Sequence, residues 1–151
     1  ELCIPIDRNN RTAAKHSVEQ AIPRLQQQGG ALLLFVDGTR STPERRKRAA
    51  DKWLARIPDY KTWSTLPPRS GTLLTLLQNL DGNVPIYSFT EGFSVRDESW
   101  QDVHRLYGAR YHIACEQFMS ADLPTDEIGL QTWLNQHWRE KNRRRAAWRG
   151  E

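Results

Sequence analysis

The sequence predicts an α/β protein with a mostly parallel central sheet flanked by helices. Two observations carry this prediction: short apolar runs alternate with segments of helical periodicity, and the longest apolar run, residues 31–36, stops abruptly at polar residues. Six apolar residues in succession indicate a strand that is buried on both faces, as in a parallel sheet. A strand, a helix and a second strand in succession form a right-handed crossover, which makes the two strands parallel neighbours.

The first crossover unit lies at the start of the chain. Residues 3–6 are predicted to form a strand and residues 12–28 a helix, which a pair of glycines closes before the strand 31–36 begins. Pro23 lies inside that helix and favours a kink or an early end.

Further elements follow the polar segment 37–41. Ser41 or Thr42 is predicted to cap a helix that begins at Pro43 and has apolar residues at helical spacing up to Ile57. The remaining predicted elements are a helix over 72–80, a strand over 84–89, an irregular segment over 91–102, a strand over 109–115 and a helix within 122–145. Pro85 in the third strand predicts the first residue of a strand or an edge position.

Length and composition limit the possible classes of protein. The chain has 151 residues, enough for one hydrophobic core, and no apolar run is long enough to cross a bilayer. Cys3 and Cys115 lack the spacing of metal ligands and fit a reducing compartment better than a disulfide framework. The first residue is Glu1 and no signal-peptide pattern follows, so we expect a piece of a longer protein or a processed one.

Positive charge is concentrated in two segments, although the net charge is only +4. The cations of these segments are Arg45, Arg46, Lys47, Arg48, Lys52, Arg56 and Lys61, and then Arg139, Lys141, Arg143, Arg144, Arg145 and Arg149. Each cluster favours either an anionic partner, such as nucleic acid or the cytoplasmic lipid leaflet, or a solvated helix face.

Trp138 and Trp148 flank the second cluster as interfacial anchors do, whereas Trp53 and Trp133 lie on apolar stripes typical of core positions. We divide the chain into a core, residues 1–125, and a C-terminal amphipathic, basic helix, residues 126–151.

Polar side chains follow two of the predicted strands. Asp7 and Arg8 come after the first strand, and the segment 37–41, Asp-Gly-Thr-Arg-Ser, comes after the second. If these strands are parallel neighbours, Arg8 and Arg40 emerge at one edge of the sheet, where open α/β sheets bind ligands. Two guanidinium groups at that edge would hold a phosphate, and Gly38 would let the backbone approach it closely. The alternative is that Asp7 and Arg8 make local salt bridges only.

Together and in this order, these segments resemble motifs of the glycerolipid acyltransferase superfamily, lysophosphatidate acyltransferases in particular. Residues 6–8, Ile-Asp-Arg, resemble the end of its second motif, and residues 35–41, Phe-Val-Asp-Gly-Thr-Arg-Ser, resemble its third, Phe-Pro-Glu-Gly-Thr-Arg-Ser. Residues 84–86, Val-Pro-Ile, resemble the fourth, and residues 69–71, Arg-Ser-Gly, resemble a Lys-x-Gly that precedes it. The tail, residues 130–138, is similar to a bacterial inner-membrane branch of these enzymes.

The resemblance implies a fold like that of glycerol-3-phosphate acyltransferase and an O-acyltransferase of phospholipid biosynthesis. Such an enzyme transfers a fatty acyl group from acyl-CoA or acyl-ACP to a lysophospholipid such as 1-acylglycerol-3-phosphate, at the cytoplasmic face of the bacterial inner membrane. The implied site binds the acceptor phosphate through Arg8, Asp37, Gly38, Thr39 and Arg40, with Asp7, Ser41 and Pro85 in supporting roles. For Ser41 we expect helix capping. No metal and no cofactor besides the acyl thioester co-substrate are implied.

The catalytic motif of the superfamily, a histidine followed five positions later by an aspartate, is missing. The residues at that distance from His16, His104, His112 and His137 are Ala21, Ala109, Gln117 and Asn142. In the superfamily the motif lies upstream of Ile-Asp-Arg, so we expect this chain to lack the N-terminal part with the base and any membrane anchor. We expect no acyl transfer by the chain alone, and surface or core positions for its four histidines.

Two other classes of protein share some of these features. Asp-Gly-Thr after an apolar strand also occurs in haloacid-dehalogenase-type phosphatases, but Phe35 stands where their nucleophilic aspartate must be. A basic nucleic-acid-binding or membrane-surface-binding module without catalysis is the remaining alternative, since six tryptophans among basic clusters could stack bases. No recognised nucleic-acid motif is present, and we expect no nucleic-acid partner.

Overall fold

The computed structural model of the chain describes residues 10–37, 41–95 and 106–151. These residues form α1 (Arg11–Gln28), α2 (Pro43–Trp53), α3 (Gly71–Asn79), β1 (Pro85–Phe93), β2 (Tyr111–Met119) and α4 (Glu127–Arg149), with short 3-10 turns at Tyr60–Thr62 and Ser120–Asp122. The predicted strand over 3–6 lies outside the described residues, as do Asp7, Arg8, Gly38, Thr39 and Arg40.

Helix α1 matches the predicted helix over 12–28. The side chain of Asn10 caps it by accepting a hydrogen bond from the Ala13 amide at 3.0 Å. The helix continues through Pro23 to its C-cap at Gly29, so the predicted early end is wrong. Val18 and Ile22 form a small core with Leu76 of α3. This tertiary packing outweighs the one backbone hydrogen bond that a proline cannot donate.

The apolar run 31–36 is not a strand in the described structure. Leu34 and Val36 pack against the core, while Leu33 and Phe35 are 73% and 70% exposed. The prediction of a strand buried on both faces is therefore wrong. A strand needs a hydrogen-bonded neighbour, and within the described ranges the one sheet consists of β1 and β2.

Strands β1 and β2 pair antiparallel, from Pro85 opposite Met119 to Phe93 opposite Tyr111. They confirm the strands predicted over 84–89 and 109–115, and Pro85 is the first residue of its strand as predicted. Residues 91–93, predicted to be irregular, belong to β1, because they continue the ladder with β2. The mostly parallel sheet stays a prediction, since its first strand lies outside the described residues.

Helices α2 and α3 are confirmed where the sequence predicts them. The hydroxyl of Thr42 caps α2 by accepting from the Arg45 amide at 3.3 Å, and Pro43 is its first residue. Helix α3 begins at Gly71 and buries one apolar face. Between these helices, residues 54–70 contribute much of the core through Ile57, Tyr60 and Trp63.

Helix α4 contributes to the main core and confirms the predicted C-terminal helix. Asp126 caps it by accepting from the Gly129 amide at 2.8 Å. Leu130, Leu134 and Trp138 lie four residues apart on one face and are at most 7% exposed. The main core combines these three with Ile57, Tyr60, Trp63, Leu73, Leu77 and Leu123.

One expectation about the tail is changed by this packing. Trp138 is a core residue, so its predicted role as an interfacial anchor is wrong. Trp148 stacks on His112, with ring centroids 5.1 Å apart. The division at residue 126 coincides with the start of α4 and remains a prediction as a domain division. Within the described residues, no helix has the length and apolar character needed to span a bilayer.

Candidate functional site

The candidate site is the polar segment 37–41, of which the structure describes both ends. At the first end, the Val36 carbonyl accepts a hydrogen bond from the Arg69 amide at 2.8 Å, and Asp37 is half-buried. This bond places the Arg-Ser-Gly segment directly beside the start of the candidate site. Two segments that are far apart in the sequence therefore meet here.

Arg69 is a candidate binding residue to which the sequence analysis assigned no role. Its side chain is exposed, and none of the described residues forms a hydrogen bond or ion pair with its guanidinium. The signal in the sequence was the Arg-Ser-Gly motif just before α3. What the sequence did not provide was the contact with residue 36.

The second end of the segment is held by a loop between α2 and α3. The Ser41 hydroxyl donates to the Ser64 carbonyl at 3.2 Å. The Arg46 guanidinium donates to the Ser41 hydroxyl at 3.1 Å and to the same carbonyl at 3.4 Å. The expected capping role of Ser41 is wrong: Thr42 is the cap, and Ser41 attaches the segment to residue 64.

Residue 64 is in turn held by α4. The Ser64 amide donates to Asn142 Oδ1 at 2.7 Å, and Arg145 Nε donates to the Ser64 hydroxyl at 2.9 Å. Asn142 Nδ2 donates to the Thr65 hydroxyl at 2.9 Å, and the asparagine is only 4% exposed. A chain of hydrogen bonds therefore connects α4 with the far end of the candidate site.

Lys141 adjoins Asn142 and is buried, with 9% of its surface exposed. Its ammonium group donates to the Phe89 carbonyl of β1 at 2.8 Å and lies 4.4 Å from the centre of the Trp138 ring. Burial lowers the pKa of Lys141 to about 8, while the negative charges of Glu116 and Asp37 act in the opposite direction.

Most of the basic tail contacts the protein itself. Arg139 forms a two-bond ion pair with Asp59, Arg144 pairs with Glu116, Arg143 with Glu140 and Arg149 with Glu151. Arg145 binds the Ser64 hydroxyl, and Lys141 is buried. The interpretation of this cluster as a surface for an anionic partner is therefore weakened, because its cations already have intramolecular partners.

The first basic cluster, in contrast, has several cations exposed to solvent. Lys47, Arg48 and Lys52 of α2 are exposed, on the helix that begins two residues after the candidate site. Arg46, by contrast, faces Ser41. An anionic surface as a partner remains a prediction, and the exposed cations of α2 are the ones that support it.

Other predicted residues lie apart from this arrangement. Pro85 starts β1, where it is paired with Met119. Cys115 has an exposed free thiol on β2. In the described part of the chain, no three histidine, cysteine, aspartate or glutamate side chains are grouped so that they could hold a metal ion.

The described histidines occupy surface or core positions, as predicted. His16 is exposed, and His112 stacks on Trp148. His137 is buried, bonds to the Ser88 hydroxyl at 2.8 Å and stacks on Trp133. Burial, and secondly the positive charge of Lys141, lowers the pKa of His137.

We expect the buried imidazole of His137 to make the protein sensitive to acid. Because its folded-state pKa lies below the unfolded value of about 6.5, the unfolded chain takes up a proton first as the pH falls. The free energy of unfolding should therefore decrease below about pH 6.5, until the folded-state pKa is passed. Urea unfolding between pH 7.5 and pH 5 measures this. His137→Gln should reduce the slope, and His16→Gln, an exposed control, should leave it unchanged; equal slopes in the two variants would contradict the assignment.

Comparisons with known proteins support an acyltransferase family. The chain is 29% identical over 119 residues to lysocardiolipin acyltransferase 1 of Danio rerio, an alignment that covers 75% of this chain and 30% of that protein. It is also 29% identical over 128 residues to an uncharacterised acyltransferase of Schizosaccharomyces pombe, covering 75% of this chain and 35% of the other. The chain thus spans about a third of the length of these relatives. No protein-family model matches the chain, and no solved structure matches it.

Proposed function

We propose that this chain forms the acceptor-binding part of an O-acyltransferase of phospholipid biosynthesis. The reaction transfers a fatty acyl group from acyl-CoA or acyl-ACP to a hydroxyl of a lysophospholipid such as 1-acylglycerol-3-phosphate. Support comes from the motifs at residues 35–41 and 69–71 and from two relatives named acyltransferases. The name of one relative makes lysocardiolipin a second candidate acceptor, and both candidates are lysophospholipids.

The observation that carries the proposal is the bond between the Arg69 amide and the Val36 carbonyl. It joins two of the motifs that resemble the superfamily, with Asp37 as the next residue along the chain. A phosphate monoester is best held by several donors at once, and guanidinium groups suit its geometry. We propose that Arg8, Gly38, Thr39, Arg40 and Arg69 surround the phosphate and that Asp37 orients an arginine or a substrate hydroxyl. Asp7, Ser41 and Pro85 keep supporting roles, and for Ser41 this is the attachment to Ser64.

The contribution of these residues to the reaction is positioning. No histidine in the sequence has an aspartate five positions later, so none of the four histidines is proposed as the general base. Holding the acceptor in the geometry of attack contributes ~7–11 kcal/mol in well-oriented reactions. A general base adds typically ~10²–10⁴-fold. The proposed site contributes the first of these effects, the positioning of the acceptor.

An anionic membrane surface is the proposed location of the enzyme, at the cytoplasmic face of the inner membrane by resemblance. The exposed cations Lys47, Arg48 and Lys52 support it. Each basic residue near an anionic leaflet contributes ~1 kcal/mol of attraction. The same cations would also attract DNA, so a salt titration against DNA and against anionic vesicles distinguishes this proposal from a nucleic-acid-binding module.

Replacing the motif arginine tests the proposed site. Arg40→Ala should weaken binding of 1-hexanoylglycerol 3-phosphate, measured by calorimetry on the 151-residue chain, by about tenfold or more, because a hydrogen bond to a charged group contributes ~1.5–3 kcal/mol. Arg48→Ala removes the same charge from the exposed side of α2 and should change the affinity less than about twofold. Equal affinities of the wild type and Arg40→Ala would show that Arg40 does not bind the phosphate. Acyl transfer by the isolated chain would contradict the expectation that the chain alone is inactive.

A further inference from the structure

The two strands of the sheet have different outer edges. The Ser94 amide donates to the Arg110 carbonyl at 2.8 Å, which makes these two residues a hydrogen-bonded pair next to the ladder of β1 and β2. Because hydrogen-bonded and non-hydrogen-bonded pairs alternate along an antiparallel ladder, every second residue of β2, starting at Tyr111, turns its backbone N–H and C=O away from β1. The residues opposite them on β1 turn theirs away from β2.

Helix α4 covers part of the outer edge of β1. Lys141 Nζ donates to the outward-turned carbonyl of Phe89 at 2.8 Å, and the Arg145 guanidinium donates to that of Glu91. A carbonyl that is already bound by a side chain is not available to a further strand. The edge of β1 is therefore closed over residues 89–91.

The outer edge of β2 has no such cover. Among the residues that the structure describes, none forms a hydrogen bond with the outward-turned backbone groups of this strand. The strand has nine residues, and it contains no lysine, arginine or proline, which natural proteins place on edge strands to prevent pairing. Its outward row of side chains is exposed, Ile113 by 61% and Tyr111 by 50%. This edge is thus open to an additional strand.

We propose that β2 is a dimer interface, at which it pairs antiparallel with β2 of a second copy of this chain. A two-fold axis at Cys115 uses the whole length of the strand. Cys115 then lies opposite Cys115 of the second copy, Ile113 opposite Gln117, and Tyr111 opposite Met119, all with their free backbone groups facing each other. The two sheets join into one of four strands, and a sheet of three or more strands is more stable than an isolated pair.

The charges and hydrogen bonds of β2 favour a second copy as the occupant. Glu116 faces Ala114 of the second copy in this register, so the two carboxylates do not meet, and each keeps its ion pair with Arg144 at 3.0 Å. The other residues of the strand bring no carboxylate, ammonium or guanidinium group to the contact. The outward-turned groups of the two strands exchange about ten hydrogen bonds, as many as a typical protein interface contains.

Sedimentation velocity tests the dimer with the 151-residue chain. The fraction of dimer should rise with concentration between about 1 and 200 μM, the range in which small interfaces associate. Ile113→Lys should raise the dissociation constant by about tenfold or more, because the two-fold axis places the added charge in the interface twice. Ile113 is largely exposed, so we expect the variant to fold, which far-UV circular dichroism checks.

Tyr87→Lys is the matched control. Tyr87 is 54% exposed on the same face of the sheet, but it belongs to β1 and lies away from the edge of β2. The dissociation constant of this variant should differ from that of the wild type by less than about twofold. A dimer that packs through the exposed faces of the two sheets would instead be weakened by Tyr87→Lys.

Oxidative cross-linking tests the register. The Cα atoms of a hydrogen-bonded antiparallel pair are ~5.5 Å apart, within the range that a disulfide spans. In a Cys3→Ser variant, diamide takes up the two thiol hydrogens and the two electrons, and a disulfide should form between the two Cys115 side chains. Gln117→Cys, combined with Cys3→Ser and Cys115→Ser, lies opposite Ile113 and should give several-fold less covalent dimer on non-reducing gels.

Each of three results would overturn the interface. They are a monomer at every concentration, which would leave the edge to a strand of another protein or another segment; a dimer that Tyr87→Lys weakens as much as Ile113→Lys does; and equal yields of covalent dimer from the two cysteine positions. None of these measurements uses a lipid or a phosphate. Their outcome is therefore separate from that of the proposed function.

Discussion

Leu130→Ala is expected to lower the free energy of unfolding by about 2–5 kcal/mol, the range found when a buried leucine is truncated in a well-packed core. Leu130 is 0% exposed and belongs to the main core with Leu123 and Leu134. Truncation removes the buried methyl groups and leaves a cavity that a rigid helix cannot close. A domain of this size is stable by only ~5–15 kcal/mol, so the loss is a large fraction of the total.

Ile128→Ala is the matched control for this prediction. Ile128 lies on the same helix but is 80% exposed, so its truncation should change the free energy of unfolding by less than about 0.5 kcal/mol. Urea unfolding followed by tryptophan fluorescence measures both variants at pH 7. Similar midpoints for the two variants would show that α4 does not pack through Leu130.

Asn142→Ala is expected to cost about 2–3 kcal/mol of unfolding free energy. The substitution leaves the Ser64 amide without its acceptor at 2.7 Å and the Thr65 hydroxyl without its donor. An unsatisfied buried polar group costs ~1–3 kcal/mol, more than the net gain from forming one hydrogen bond. This loss of stability arises at Ser64 and Thr65, in the loop between α2 and α3, where no sequence motif predicts a contact with α4.

Asn135→Ala provides the comparison for Asn142→Ala. Asn135 is half-buried on the same helix and accepts one hydrogen bond, from the Gln131 side chain at 3.0 Å. Its truncation should cost less than about 1 kcal/mol, because it leaves no buried backbone group unpaired. Hydrogen exchange of the Ser64 amide gives a local measure: we expect faster exchange in Asn142→Ala only. Protection of that amide in both variants would mean that another group accepts its hydrogen bond.

Local signals in the sequence were sufficient to predict the positions of the helices and of both described strands. Thr42 and Pro43 mark the start of α2, and Gly29 marks the end of α1. These signals work because capping, turn formation and side-chain periodicity depend on residues within a few positions of each other. The motif 37–41 was likewise visible in the sequence as a cluster of phosphate-binding residue types.

Only the tertiary structure decided how those elements meet. The run 31–36 has the composition of a buried strand, yet Phe35 is exposed, because strand pairing depends on a neighbour that composition does not specify. Lys141 and Trp138 were interpreted as surface residues of a basic tail, and their burial follows from the packing of α4 against β1 and the core. The contacts of Val36 with Arg69 and of Ser64 with Asn142 join residues far apart in the chain, and no local pattern encodes such pairs.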